Sequence, residues 1–262
     1  MLAAHDEFQF GGASRVVQID DPQADGLPQF HNHATQVAGT IASAGFQANS
    51  RGGAFASDID AFDAVGDMGE MTLAVASGLE LSNRSYSVRP GWFFVPDLGW
   101  TWFGRDVAGE DPGFGIYTAL SRQIDLLVYG ADTYLPIFSS GNEVRDFGPV
   151  DATGTIPPGT VYWLAVDTDD DGIPNAVVPD NTPHPPDAGN PLPGAVAPFP
   201  DFPPLGPGFD TVKPRAVAKN NLAVGAINDV VGGIQTGADA QLAFFSSHGP
   251  TDDGRIKPDL VA

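Results

Sequence analysis

The sequence predicts an α/β fold: a doubly wound, mostly parallel sheet with helices on both faces, interrupted by a proline-rich irregular insertion. Two observations carry this expectation. Up to about Asn142, short apolar runs of strand length alternate with segments of helical spacing, and such alternation implies crossover connections and a parallel sheet. From about Val150 to Lys213 the texture changes, and 15 of the 24 prolines fall between Pro157 and Pro214. Proline removes ladder donors and cannot continue a helix or a central strand.

In chain order, the strand candidates of the first block are Arg15–Ile19, Ile59–Val65, Leu79–Tyr86 and Leu135–Ser139. Between them lie three helical patterns. Thr35–Ala44 is built from small residues, Met68–Gly78 follows, and Gly115–Gly130 repeats Ile116, Leu120, Ile124 and Leu127 at spacings of four, four and three. Beyond the prolines, strand character resumes at Leu222–Ile227 and Leu242–Phe245. The expected organisation is a first αβ block over 1–149, a Pro/Asp-rich insertion over 150–214, and a second, shorter block over 215–262. In an open parallel sheet the chemistry sits at the carboxyl ends of strands.

Composition narrows the function. Lys and Arg total 12 against 33 Asp and Glu, a formal charge of -21, which repels phosphate backbones and disfavours nucleic acid as a partner. No run approaches the roughly 18 apolar residues of a membrane helix, and Met1 to Phe10 lack the basic and apolar regions of a signal peptide. With no Cys, disulfides, thiolate metal sites and cysteine nucleophiles are absent together.

Four segments carry chemistry. His31-Asn32-His33-Ala34-Thr35-Gln36-Val37-Ala38-Gly39-Thr40 sets histidines against a helix of small residues, which by itself is equally a surface His pair beside a close-packed helix. Ile137-Phe138-Ser139-Ser140-Gly141-Asn142-Glu143 is an apolar strand running into a Gly-Asn pair, which alone reads as a turn. Leu81-Ser82-Asn83-Arg84-Ser85-Tyr86-Ser87 is a strand with a polar exit. Phe245-Ser246-Ser247-His248-Gly249-Pro250-Thr251-Asp252-Asp253-Gly254-Arg255-Ile256-Lys257-Pro258-Asp259 closes the series, preceded by Ala218-Lys219-Asn220-Asn221-Leu222-Ala223-Val224-Gly225-Ala226.

Together, and in this order, these segments resemble the subtilase (peptidase S8) family of serine peptidases, over most of the chain outside the proline-rich stretch. The first run is similar to the family's His-Gly-Thr-His-Val-Ala-Gly-Thr, with Ala34 for the glycine and Gln36 for the second histidine. The resemblance implies that His33 is the general base that takes a proton from a serine hydroxyl. It implies that Asn142, after Gly141, donates its amide to the oxyanion. Ser85, Tyr86, Ser87 and Gly141 would line the substrate cleft, where a polypeptide substrate adds as an extra strand; Ser87 stands where the family has glycine. The last run looks like the family's Phe-Ser-Ser-x-Gly-Pro-Thr-x-Asp-Gly-Arg-x-Lys-Pro-Asp.

The family's Gly-Thr-Ser-Met-Ala nucleophile motif does not occur in the sequence, and the resemblance places it beyond Ala262. His5-Asp6-Glu7-Phe8 resembles the element that follows the family's aspartate, which places that aspartate before Met1. Asp20 and Asp21 are alternatives at a strand end, but they precede His33 by only 13 and 12 residues, a much shorter spacing than the family's. No cofactor is required for this chemistry. The family also implies an extracellular or cell-surface setting.

Asp167-Thr168-Asp169-Asp170-Asp171-Gly172-Ile173-Pro174-Asn175 spaces Asp167, Asp169, Asp171 and Asn175 as a calcium loop does. Val178 occupies the position of the bidentate Glu, so the run reads equally as a solvated acidic turn. Three functions compete: a serine endopeptidase, a non-catalytic subtilase-like domain that binds polypeptide, and, most weakly, a metal hydrolase using His31 and His33, which lack a third ligand at recognisable spacing.

Overall fold

Val16 to Gln18 and Ile59 to Ala61 pair in parallel, with the small-residue helix as the crossover between them. The computed structural model describes residues 2–10, 12–103, 111, 113–144, 162–166, 176–180, 210–230 and 232–262, with only the backbone for 162–166 (Trp163 excepted) and 176–180. Two units divide it, Met1–Gly78 and Leu79–Ala262.

In the first unit, a turn of 3-10 helix at Asp6–Phe8 leads into a short antiparallel hairpin, β1 (Gln9–Phe10) with β2 (Ala13–Ser14). Then come β3 (Val16–Gln18), α1 (Asn32–Ala42), β4 (Ile59–Ala61) and α2 (Asp67–Ala76). Phe8, Val16, Ala38 and Ala61 form the core, with Ala3 and Ile59 packed on it. The small side chains of α1 let backbone approach closely. A Cβ on Gly52 would lie 2.6 Å from the Ile41 carbonyl oxygen and 2.7 Å from the Ala42 nitrogen. The Arg15 guanidinium donates to the carbonyls of Ala42 (2.6 Å) and Glu7 (3.2 Å), supplying charge where the helix leaves its last acceptors open.

Glu7 ties the loop after α1 to this frame. Its buried carboxylate accepts from the backbone N–H groups of Gly45 (2.7 Å), Phe46 (2.9 Å) and Gln47 (2.8 Å) and from the hydroxyls of Ser43 (2.8 Å) and Ser50 (3.0 Å). The Gln47 N–H, followed by the other donors, holds the Glu7 pKa down at about 2 against the opposing effect of burial.

The second unit holds two four-stranded sheets. One is wholly parallel, in the order β12 (Leu260–Val261), β11 (Leu222–Gly225), β8 (Leu135–Ser139), β5 (Leu81–Arg84). The crossover between β5 and β8 contains α3 (Ala119–Tyr129), which opens with a Thr118/Ser121 capping box. Ile124 of α3 is fully buried, while Ile116 of the expected helical face lies before the helix begins. Buried Asp125 on α3 accepts from the backbone N–H groups of Lys219 (2.8 Å) and Asn220 (2.7 Å) and from the Tyr117 hydroxyl (2.7 Å), fixing the approach to β11. The parallel sheet draws strands from both sides of the proline-rich stretch.

The other sheet was not expected. β6 (Trp92–Val95) and β7 (Gly99–Trp102) form an antiparallel hairpin, and β9 (Tyr162–Val166) and β10 (Ala176–Asp180) extend it in the order β10-β9-β7-β6. Aromatic cross-strand pairs hold the hairpin: Trp92 faces Trp102 at 5.2 Å and Phe94 faces Trp100 at 5.6 Å between ring centroids. Within 150–214 the described segments Tyr162–Val166 and Ala176–Asp180 are strands. The β9 segment is free of proline, and Pro179 sits on an edge strand, where a missing ladder donor is tolerated. Leu242–Phe245, expected as a strand, instead makes one bridge from Leu242 to Ile227 and then turns. The α/β class holds, with parallel strands joined by helices; the described residues contain three α-helices.

Candidate active site

His33 is the second residue of α1, and its ring is exposed. His31 takes the extended conformation that starts the helix (φ -130°, ψ 123°), and the two imidazoles stand edge to face, 6.3 Å between centroids. Thr35 turns its hydroxyl back onto the His31 carbonyl at 3.1 Å, tightening the first turn. Gln36 is exposed one turn on and Ala34 is half-buried. Neither alters the helical backbone that presents His33. Asp20 is engaged elsewhere: its carboxylate accepts from the Asp63 N–H at 2.6 Å. Asp21 caps its own turn through the Gln23 N–H.

In the second unit, the carboxyl ends of β5 and β8 are adjacent. Arg84, the last residue of β5, is paired with Phe138, one residue before β8 ends. Ser85, Tyr86 and Ser87 therefore leave the sheet at the same edge as Ser140, Gly141 and Asn142, from neighbouring strands. Among the described strands of this sheet β5 is an edge. Tyr86 is held by two cations: the Arg84 guanidinium donates to its hydroxyl at 2.7 Å, and that of Arg215 lies 5.2 Å from its ring centroid. Asn83 donates to the Ser85 hydroxyl at 3.1 Å.

The Gly141-Asn142 turn is fixed in detail. Gly141 has φ +122°, and a Cβ there would fall 2.5 Å from Glu143 Oε2 and 2.8 Å from Ser247 Oγ, so only glycine fits. Its carbonyl accepts from the Ser247 N–H at 2.9 Å. Ser140, buried, accepts from the Lys213 N–H at 3.1 Å and donates its hydroxyl to the Ser247 carbonyl at 2.8 Å. Glu143 is buried and forms an ion pair with Lys213 (2.6 Å), while its second oxygen accepts from the Asn142 N–H (2.6 Å). The outcome is a turn whose backbone is bound on both sides and whose Asn142 side chain is exposed.

A model of the subtilase family matches residues 13–262. The chain belongs to the subtilase family. No curated protein matches it. In this subtilase, Lys213 and Ser247 were missed by sequence reasoning as supports of the Asn142 turn. The signal available was indirect: a buried carboxylate demands a cation, and Lys213 is one of only 12 Lys and Arg. The calcium-loop candidates Asp167, Asp169, Asp171 and Asn175 lie outside the described residues. Among the described residues no group of three His, Asp or Glu could hold a metal ion, and no helix is long and apolar enough to cross a membrane.

Proposed function

We propose that this subtilase is a serine endopeptidase. His33 acts as general base toward a serine of the complete protein, the triad aspartate orients the imidazole, and the Asn142 amide donates to the tetrahedral oxyanion. The substrate is an extended polypeptide that lies along Ser85, Tyr86 and Ser87 and passes Gly141. The observation that supports this most is the turn after β8, in which the Gly141 carbonyl and the Asn142 N–H are both hydrogen-bonded while the Asn142 side chain stays exposed at the carboxyl edge of a parallel sheet. A donor aimed in advance costs no reorganisation when charge develops.

Ala34 and Gln36 favour a second reading, a subtilase-like domain that binds polypeptide without cleaving it. An extracellular or cell-surface location fits both readings, and a structural calcium at Asp167, Asp169, Asp171 and Asn175 would fit that setting. The test uses protein expressed from the complete reading frame, incubated with a quenched peptide library and sampled by mass spectrometry. We expect internal cleavage that falls about a million-fold in His33→Ala, the loss found when subtilisin's own histidine is removed. Peptide capture without cleavage would favour the binding domain instead.

A further inference from the structure

We propose that Lys213 is a positioning residue for the oxyanion donor: it neutralises Glu143, which would otherwise set a bare carboxylate beside the forming oxyanion, and with Ser247 it fixes the Asn142 backbone. This rests on the endopeptidase reading and adds to it a buried ion pair that sets the strength of the donor.

The geometry is closed on every side. Lys213 Nζ lies 2.6 Å from Glu143 Oε1, and both side chains are nearly excluded from solvent, at 12% and 7% exposure. Glu143 Oε2 accepts from the Asn142 N–H at 2.6 Å and from the Ser247 hydroxyl at 3.3 Å. The same hydroxyl accepts from the Glu143 N–H at 3.0 Å. Lys213 acts twice, since its own backbone N–H binds the Ser140 carbonyl. A turn at φ +122° has few intrinsic restraints. Here the Asn142 N–H is held by the Glu143 carboxylate, and the residues on either side of it are held by Ser247.

That carboxylate poses a problem for the proposed chemistry. It is hydrogen-bonded to the backbone of the residue whose amide would stabilise negative charge, and in a buried site like charges repel strongly. Lys213 cancels the charge and keeps the acceptor. Packing alone would not need the pair, because buried ion pairs are commonly replaceable by apolar residues without loss of stability.

The experiment measures kcat and KM for a peptide amide in protein from the complete reading frame, normalised to active sites titrated with a fluorophosphonate. We expect Lys213→Met to lower kcat about tenfold or more with little change in KM, as loss of a transition-state interaction does. Lys213→Arg should recover most of it, and so should Lys213→Met/Glu143→Gln, in which neither charge remains but the acceptor does. Lys213→Met should lower kcat by less in an Asn142→Ala background than in the wild type, because the positioning part of its effect works only through the Asn142 amide while the repulsion from the bare Glu143 carboxylate remains. If Lys213→Met fails to fold, Ser247→Ala carries the same non-additivity comparison without removing charge. Equal losses in the wild-type and Asn142→Ala backgrounds, or unchanged kcat in Lys213→Met, would overturn the assignment. A wild type that turns over no peptide would overturn the endopeptidase reading, and this assignment with it.

Discussion

Substituting Gly141 by alanine tests how tightly the turn after β8 is built. Two costs add at this position. A non-glycine residue at φ +122° is strained by about 1–3 kcal/mol. The new methyl would also sit 2.5 Å from Glu143 Oε2, 2.8 Å from Ser247 Oγ and 3.2 Å from Lys213 Cγ, and overpacking of this kind costs about 1–3 kcal/mol. Relief requires the Glu143 carboxylate to move off the Asn142 N–H, so the strain falls on the turn that presents the donor. Together the two costs come to about 2–6 kcal/mol. Gly254 is the control: it has φ +80° with nothing within 4 Å of a built Cβ. Gly254→Ala therefore isolates the backbone cost, about 1–2 kcal/mol. The assay is urea unfolding of each variant with the slope checked for constancy. Equal losses in the two variants would refute the claim that the Glu143, Ser247 and Lys213 side chains hold Gly141 in place.

Two further expectations concern the frame. The Glu7 pKa is lowered to about 2 from an ordinary value near 4.5; a depressed carboxylate gives stability that is fully present above pH 4.5 and is lost as pH falls toward 2. The urea midpoint should therefore decline across that window, and Glu7→Gln should lower the midpoint at pH 6 and flatten the decline below pH 4.5. Phe138, 1% exposed on the central strand β8, should cost about 3–5 kcal/mol when replaced by alanine, measured by the same unfolding assay, whereas Leu126→Ala on the exposed side of α3 should cost well under 1 kcal/mol.

Much of the parallel framework was legible in the sequence because it depends on local pattern. Leu135–Ser139 forms a strand with the bounds its apolar run suggests, and Leu222–Gly225 begins where expected. The helix at His33 begins three residues earlier than its small-residue pattern suggests, since His31 adopts the extended starting conformation without any side-chain cap to announce it. The aromatic hairpin was legible in principle: Trp92-Phe93-Phe94-Val95 and Gly99-Trp100-Thr101-Trp102 are β-prone runs around a Pro96-Asp97 turn. Tyr162–Val166, although free of proline, lies between Pro158 and Pro174, where the local composition favours irregular backbone. At the site, Gly141 and Asn142 could be read because a turn signal follows a strand. Lys213 and Ser247 could not, because their tie to Glu143 spans long sequence separations and no local periodicity encodes such a contact.

The most direct measurement is labelling by a fluorophosphonate serine probe of protein expressed from the complete reading frame, with peptide mapping of the labelled residue. We expect one serine to be labelled in the wild type and labelling to collapse in His33→Ala, as activation by a neighbouring base requires. A folded wild type that takes no label, or a label that persists undiminished in His33→Ala, would contradict the assignment of His33 as the base of a working triad.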